Sequence, residues 1–279
     1  MTPGGFSFGG ELRKLGAFLR RDLLIRLSYR TAILTDWFSL FSQALVFSFV
    51  SKIVNPARLQ ITGQGAETTY IAYVAVGIAV SGFLAVGLAR LVGAIRQEQF
   101  MGTLESLMVT PTTASVILLG SVVYDLIYVP LRTIAFLVIV SLWFKVDFAA
   151  SGYLPALLIL AVFIPFVWGL GSIASASVLT FRRGSGVLGF GTFALTFTSG
   201  AYFPLSLFPS WVETLASLNP IGVAISGMRD QLIGGAGWAD AGIAILKLVP
   251  MSGGALILGL VAFRLAMRRE RRLGTLGLY

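Results

Sequence analysis

The sequence predicts an all-α polytopic membrane protein with six transmembrane helices and further helices at the membrane surfaces. Three observations carry that prediction. Only 12% of the residues are charged while 56% are hydrophobic, and the mean hydropathy is +0.87. A soluble domain usually carries roughly twice that charge to cover its surface. The apolar residues fall in separate runs long enough to cross a bilayer, and the basic residues crowd the ends of those runs.

The net charge of +9 invites a nucleic-acid reading, but the placement of the basic residues at span ends excludes it. Cysteine and histidine are absent, which removes disulfides, Cys or His nucleophile–base systems and the usual zinc ligand sets. No catalytic or metal-binding set is therefore expected in this chain. The opening MTPGGFSFGG lacks a signal-peptide pattern, so an uncleaved span is expected to direct insertion.

Residues 11–30 place Leu12, Leu15, Leu19, Leu23 and Leu27 on one stripe, with six basic residues against two acidic ones around it. That pattern predicts an amphipathic helix in the cytoplasmic headgroup layer. The first span is expected at 31–54 and contains Asp36; the second is expected at 69–92. Gly77, Gly82 and Gly87 in the second span would permit close helix contact.

Gln97 to Pro111 follows, QEQFMGTLESLMVTP, a short helix between two apolar runs. Phe100, Leu104, Leu107 and Met108 recur at helical spacing, while Glu98 and Glu105 share another face. One face can press on the bilayer edge or the bundle and the other can meet a soluble partner. An ordinary interfacial helix is the alternative.

The third span, 114–144, carries Asp125 and Arg132 seven residues apart and hence near one face. Charges at membrane depth need partners. Ion coupling is one role for them, structural pairing or snorkelling the other. The fourth span, 153–180, holds Pro155, Pro165 and the small-residue run GLGSIASAS. A fifth span is expected at 185–203 and a sixth at 241–263, followed by RLAMRRERR. Between them Thr198 to Asp230 is too broken for a span and too apolar for a solvent loop, which predicts a re-entrant helix pair over 198–230. With both termini inside, fifteen of the 21 basic residues lie on the cytoplasmic side.

Over nearly its whole length the chain resembles the membrane (permease) subunit of a type-2 ATP-binding-cassette exporter. Two motifs carry the resemblance: EQFMGTLESLMVTP at Glu98 to Pro111, and SGAYFP at Ser199 to Pro204, followed by LNP at Leu218 to Pro220 and by Arg229. The resemblance implies that 97–111 is a coupling helix docking on a cytoplasmic ATPase, with Arg96, Glu98, Phe100, Gly102, Thr103, Leu104, Glu105 and Pro111 at that contact. It implies that Gly200, Tyr202, Phe203, Pro204, Asn219, Pro220 and Arg229 shape the extracellular exit. It also implies a bacterial or archaeal cytoplasmic membrane, a second copy of this subunit and two ATPase subunits that carry ATP and Mg. This sequence contains no GxxxxGK[ST] loop, so hydrolysis would fall to those partners. The poorly charged, aromatic spans favour lipid-like or amphiphilic cargo, and the resemblance adds glycoconjugate cargo. The competing functions are an ion-coupled secondary transporter using Asp36, Asp125 or Arg132, and a non-transporting membrane scaffold.

Overall fold

A computed structural model describes residues 8–53, 66–100, 120, 123–181, 185–205 and 209–273. The elements in order are α1 (Phe8–Ser28), α2 (Arg30–Ile53), α3 (Ala66–Phe100), α4 (Val123–Phe144), a 3-10 turn (Ala150–Gly152), α5 (Tyr153–Phe181), α6 (Ser185–Phe197), α7 (Ser210–Ser217), α8 (Pro220–Leu232) and α9 (Trp238–Leu273).

Helix α3 is the hub. Of its membrane-length stretch 61% is buried, against 11% for α2, so α3 is surrounded by protein and α2 lies at the edge. The main core joins Tyr70, Val74, Ile78 and Leu84 of α3 with Phe136 and Leu137 of α4, Ile159 and Phe163 of α5, and Ile225 and Met228 of α8. The outer surface is apolar as well: Leu34, Phe38, Ile53, Leu142, Phe190, Leu246 and Leu258 are all well exposed. A soluble monomer rarely shows so much contiguous apolar surface, whereas lipid covers it without cost.

Helices α5 and α9 run parallel. Ile159 and Ala244 meet at Gly227, Gly169 lies against Ala255 and Gly259, and Leu179 joins Phe263 and Met267. The register climbs together along both helices. The approach is close because a Cβ at Gly169 would fall on the Ala255 carbonyl, and one at Gly259 on the Gly169 carbonyl.

The bundle therefore has two distinguishable ends. Leu91, Leu179, Phe263 and Met267 cluster at one end, where Arg90 also reaches Asp36 and Asp125. The other end holds Tyr73, Gly200 and Arg229, with Leu232 accepting a hydrogen bond from Ala149 N at 2.8 Å.

Two expectations need correction. Among the described residues five helices, not six, are long and apolar enough to span: Ile33–Ile53, Tyr70–Gly93, Val123–Phe144, Ala150–Thr180 and Trp238–Glu270. The expected fifth span at 185–203 fails because α6 stops at Phe197 after 13 residues. That is about 20 Å of helix, against a hydrocarbon core of about 30 Å. The break follows from the turn at Thr198 to Gly200, where Gly200 takes φ 70°.

Nor do the described residues form a re-entrant pair over 198–230. That stretch divides into the turn, the eight-residue α7 with Trp211 exposed, and the 13-residue α8. Eight residues of α8 are buried among protein side chains. Its apolar sequence reflects that burial rather than a path through lipid.

The basic stretch after 263 is the continuation of α9, a single helix of 36 residues. Helix α3 likewise runs unbroken past the second span to Phe100.

The glycine contact yields a direct check. Gly169→Ala should cost about 1–3 kcal/mol, since backbone cannot yield to the new methyl as a side chain could. Gly253→Ala, whose Cβ meets nothing within 4 Å, should be neutral or stabilise by up to about 1 kcal/mol. Unfolding midpoints in one detergent measure both.

Candidate functional site

At the end away from Arg90, the SGAYFP turn packs on α3 through its backbone. A Cβ at Gly77 would fall on the Ala201 carbonyl, so only glycine lets the turn come this close. Four residues earlier, one helical turn away, Tyr73 donates from its hydroxyl to the Gly200 carbonyl at 3.1 Å.

Arg229 of α8 completes the junction. Its Nε and Nη2 donate to the Tyr73 carbonyl at 3.1 and 2.9 Å, Nη1 to Gly200 O at 3.0 Å, and Nη2 also to Ala201 O at 2.9 Å. The guanidinium carbon sits 3.3 Å from the Tyr73 ring centre, a stacked cation–π contact. One planar fork thus satisfies three carbonyls on two chain segments, which a lysine point charge cannot do. Burial pulls the guanidinium down to about 10, with Tyr73 opposing that shift, and it stays charged at neutral pH.

Asn219 ties the same turn to α8. Its side-chain oxygen accepts from Ile221 N at 3.0 Å and caps α8, with Pro220 at the first helical position. Its Nδ2 donates to Leu195 O at 2.7 Å and to Thr198 Oγ1 at 3.1 Å, at the end of α6. Tyr202 stacks on Phe47 of α2 with ring centres 5.3 Å apart. Phe203 is exposed, while Pro204 and Pro220 are half-buried. The structure thus brings Gly200, Asn219 and Arg229 into one junction and leaves Phe203 facing outward.

The intramembrane charges Asp36, Asp125 and Arg132 also come together, at the other end. Arg90 Nη2 lies 3.2 Å from Asp36 and its Nε 3.7 Å from Asp125. Arg132 donates from Nη2 to the Asp36 main-chain carbonyl at 2.8 Å. Two cations face two anions across α2, α3 and α4, so the cluster is neutral in sum.

Of the expected ATPase contact, Gly102, Thr103, Leu104, Glu105 and Pro111 lie outside the described residues. Glu98 and Phe100 fall within the backbone of α3, and their side chains also lie outside the description. Arg96 is described, half-buried, and lines a cavity between α3, α5 and α6. The described residues include no group of three or more His, Cys, Asp or Glu that could hold a metal.

Sequence reasoning missed Tyr73 and Arg90 as site residues. Tyr73 and Gly77 stand four apart on one face, a signal that gains meaning only once the turn is seen to pack there. Arg90 could have been found from the need of Asp36 and Asp125 for a cation. The family described as ABC-2 type transporter matches residues 13–233, which takes in both motifs and ends before α9. No curated protein matches the chain.

The junction predicts a graded series. Arg229→Ala should cost about 3–5 kcal/mol by leaving buried carbonyls without donors, and Arg229→Lys should cost less. Thermal unfolding of the purified variants in detergent orders them; equal midpoints for Ala and Lys would remove the fork from the explanation.

Proposed function

The chain belongs to the ABC-2 type transporter family, and from that premise we propose that it is the permease subunit of an ATP-driven exporter. As a member it is a multi-pass, ABC-type membrane permease. The proposal adds direction, cargo and assembly. The cargo is lipid-like or amphiphilic and leaves the cytoplasm or inner leaflet. Two copies of this subunit pair with two ATPase subunits, where ATP and Mg are bound, in a bacterial or archaeal cytoplasmic membrane.

The observation that carries the reading is the continuity of α3. It is one helix of 35 residues, about 52 Å long, from Ala66 to Phe100. At one end the Arg229 fork fastens the SGAYFP turn to it. At the other it leads directly into the segment expected to dock on the ATPase. A stiff helix held at both ends can pass displacement from an ATPase on one side to a seal on the other. In this reading Tyr202 and Phe203 belong to that seal, and Glu98 and Glu105 face donors on the ATPase without performing catalysis.

The end that carries Arg90, Arg96, Arg264, Arg268 and Arg269 is read as cytoplasmic from the excess of basic residues there. The native chain lacks cysteine, so single-cysteine labelling tests this cleanly. A cysteine at 268 should react only from the cytoplasmic side and one at 211 only from outside; the reverse pattern inverts the orientation.

The ion-coupled alternative depends on Asp36, Asp125 and Arg132. Asp36 and Asp125 now stand paired with Arg90 while Arg132 holds the Asp36 main chain, a cluster neutral in sum that favours a latch between α2, α3 and α4. Coupling itself is tested by a Glu98→Lys, Glu105→Lys double variant co-expressed with the ATPase and compared at equal membrane abundance. ATPase retention or the ratio of transport to hydrolysis should fall severalfold. Native values for ATPase binding, ATP turnover and transport together would defeat the coupling role of this segment.

A further inference from the structure

The cavity between α3, α5 and α6 measures about 720 Å³, some twenty times the share of one water in the liquid. Along α3 it extends from Ala85 to Arg96, about 16 Å of helix. Val92, Phe193 and Phe197 give it apolar walls, and Tyr202 stands at the far end. Phe193 and Phe197 are also exposed, so the groove opens along α6 on the outer surface of the chain.

One residue breaks the apolar lining. Arg96 is the single charged side chain among the described lining residues, none of which is a carboxylate. Its Nε is buried and has no hydrogen-bond partner among the described residues. A buried guanidinium donor left unpaired is costly, and a bound anion removes that cost. Arg96 lies three residues past the apolar stretch Tyr70–Gly93, so its depth is that of lipid headgroups.

We propose that this groove binds a phosphate-headed anionic lipid from the leaflet at the basic end, with the phosphate on Arg96 and one acyl chain along α3 toward Tyr202. The site deepens the permease reading, on which it rests, by giving the amphiphilic cargo a negative head. An uncharged lipid of the same chains fills the walls but brings no anion to the Arg96 Nε. A cationic amphiphile brings a like charge to it.

The test is an equilibrium titration of the purified full chain in uncharged detergent, with dioleoyl phosphatidate or dioleoylglycerol as probe. Wild type should prefer phosphatidate about tenfold or more, the weight of one charge-assisted contact. Arg96→Gln should abolish that preference and leave dioleoylglycerol binding within about twofold. Arg96→Lys keeps the charge without the fork and should fall between. Gly93→Leu fills open space in the groove, since a Cβ there meets nothing within 4 Å, and should weaken both lipids. Unfolding midpoints confirm that each variant is folded. Undiminished phosphatidate binding by Arg96→Gln, or undiminished binding of both lipids by Gly93→Leu, would overturn the site and leave only lipid held around the outer surface. Neither ATPase nor transport enters the titration, so its failure would leave the permease reading standing, and loss of ATPase pairing would leave the titration unchanged.

Discussion

The arrangement depends on one guanidinium holding two backbones together. The SGAYFP turn presents its carbonyls inward, where water cannot reach all of them, and carbonyls so placed require donors. Arg229 supplies these to Tyr73, Gly200 and Ala201 together. The contact is possible only because Gly77 has no side chain, and it is oriented only because Asn219 starts α8 at the right place. Removing any one of these loosens the others. Three distant parts of the sequence, 73–77, 199–204 and 219–229, are thereby one structural unit.

The opposite end is governed by charge rather than by backbone contacts. Arg90 draws Asp36 and Asp125 together, so α2 and α4, which have few other contacts with each other, are tied through α3. Lying partly exposed, these pairs contribute modestly to stability and chiefly fix which faces of the helices meet. Between the two ends α3 is continuous, and the groove beside it ends at Arg96. The helix that would transmit movement is therefore also a wall of the proposed lipid site. Occupancy and coupling would act on the same element.

Hydropathy made most of this architecture legible. The long helices lie where apolar runs of more than 20 residues were seen, and the resemblance drawn from the two motifs agrees with the family match over 13–233. The failures are physical. Residues 185–203 are apolar enough for a span, but Thr198 to Gly200 form a turn and leave α6 at 13 residues. Residues 220–232 read as a dipping helix because composition cannot distinguish burial in protein from burial in lipid. For the site, Gly200, Asn219 and Arg229 were singled out by the resemblance, through the SGAYFP and LNP motifs and the arginine that follows them. Tyr73 was not, because its main-chain carbonyl is one that every residue possesses and its ring and hydroxyl find Arg229 and Gly200 only in the fold. Arg132 was paired by spacing with Asp125 on its own helix, yet it donates to the Asp36 carbonyl of another.

Fastened by Arg229, the turn and α3 should move as one body during the ATP cycle. Sixteen residues of α3, about 24 Å, separate Tyr73 from Ala89, a range suited to pulsed dipolar spectroscopy. Spin labels on cysteines replacing Phe203 in the turn and Ala89 in α3 of one copy, with the second copy unlabelled, would report the distance directly in the assembled complex. The account predicts one narrow distance that is unchanged between the resting complex and the complex turning over ATP. A shift or broadening with ATP would contradict it, because the turn would then be moving free of the helix to which Arg229 fastens it.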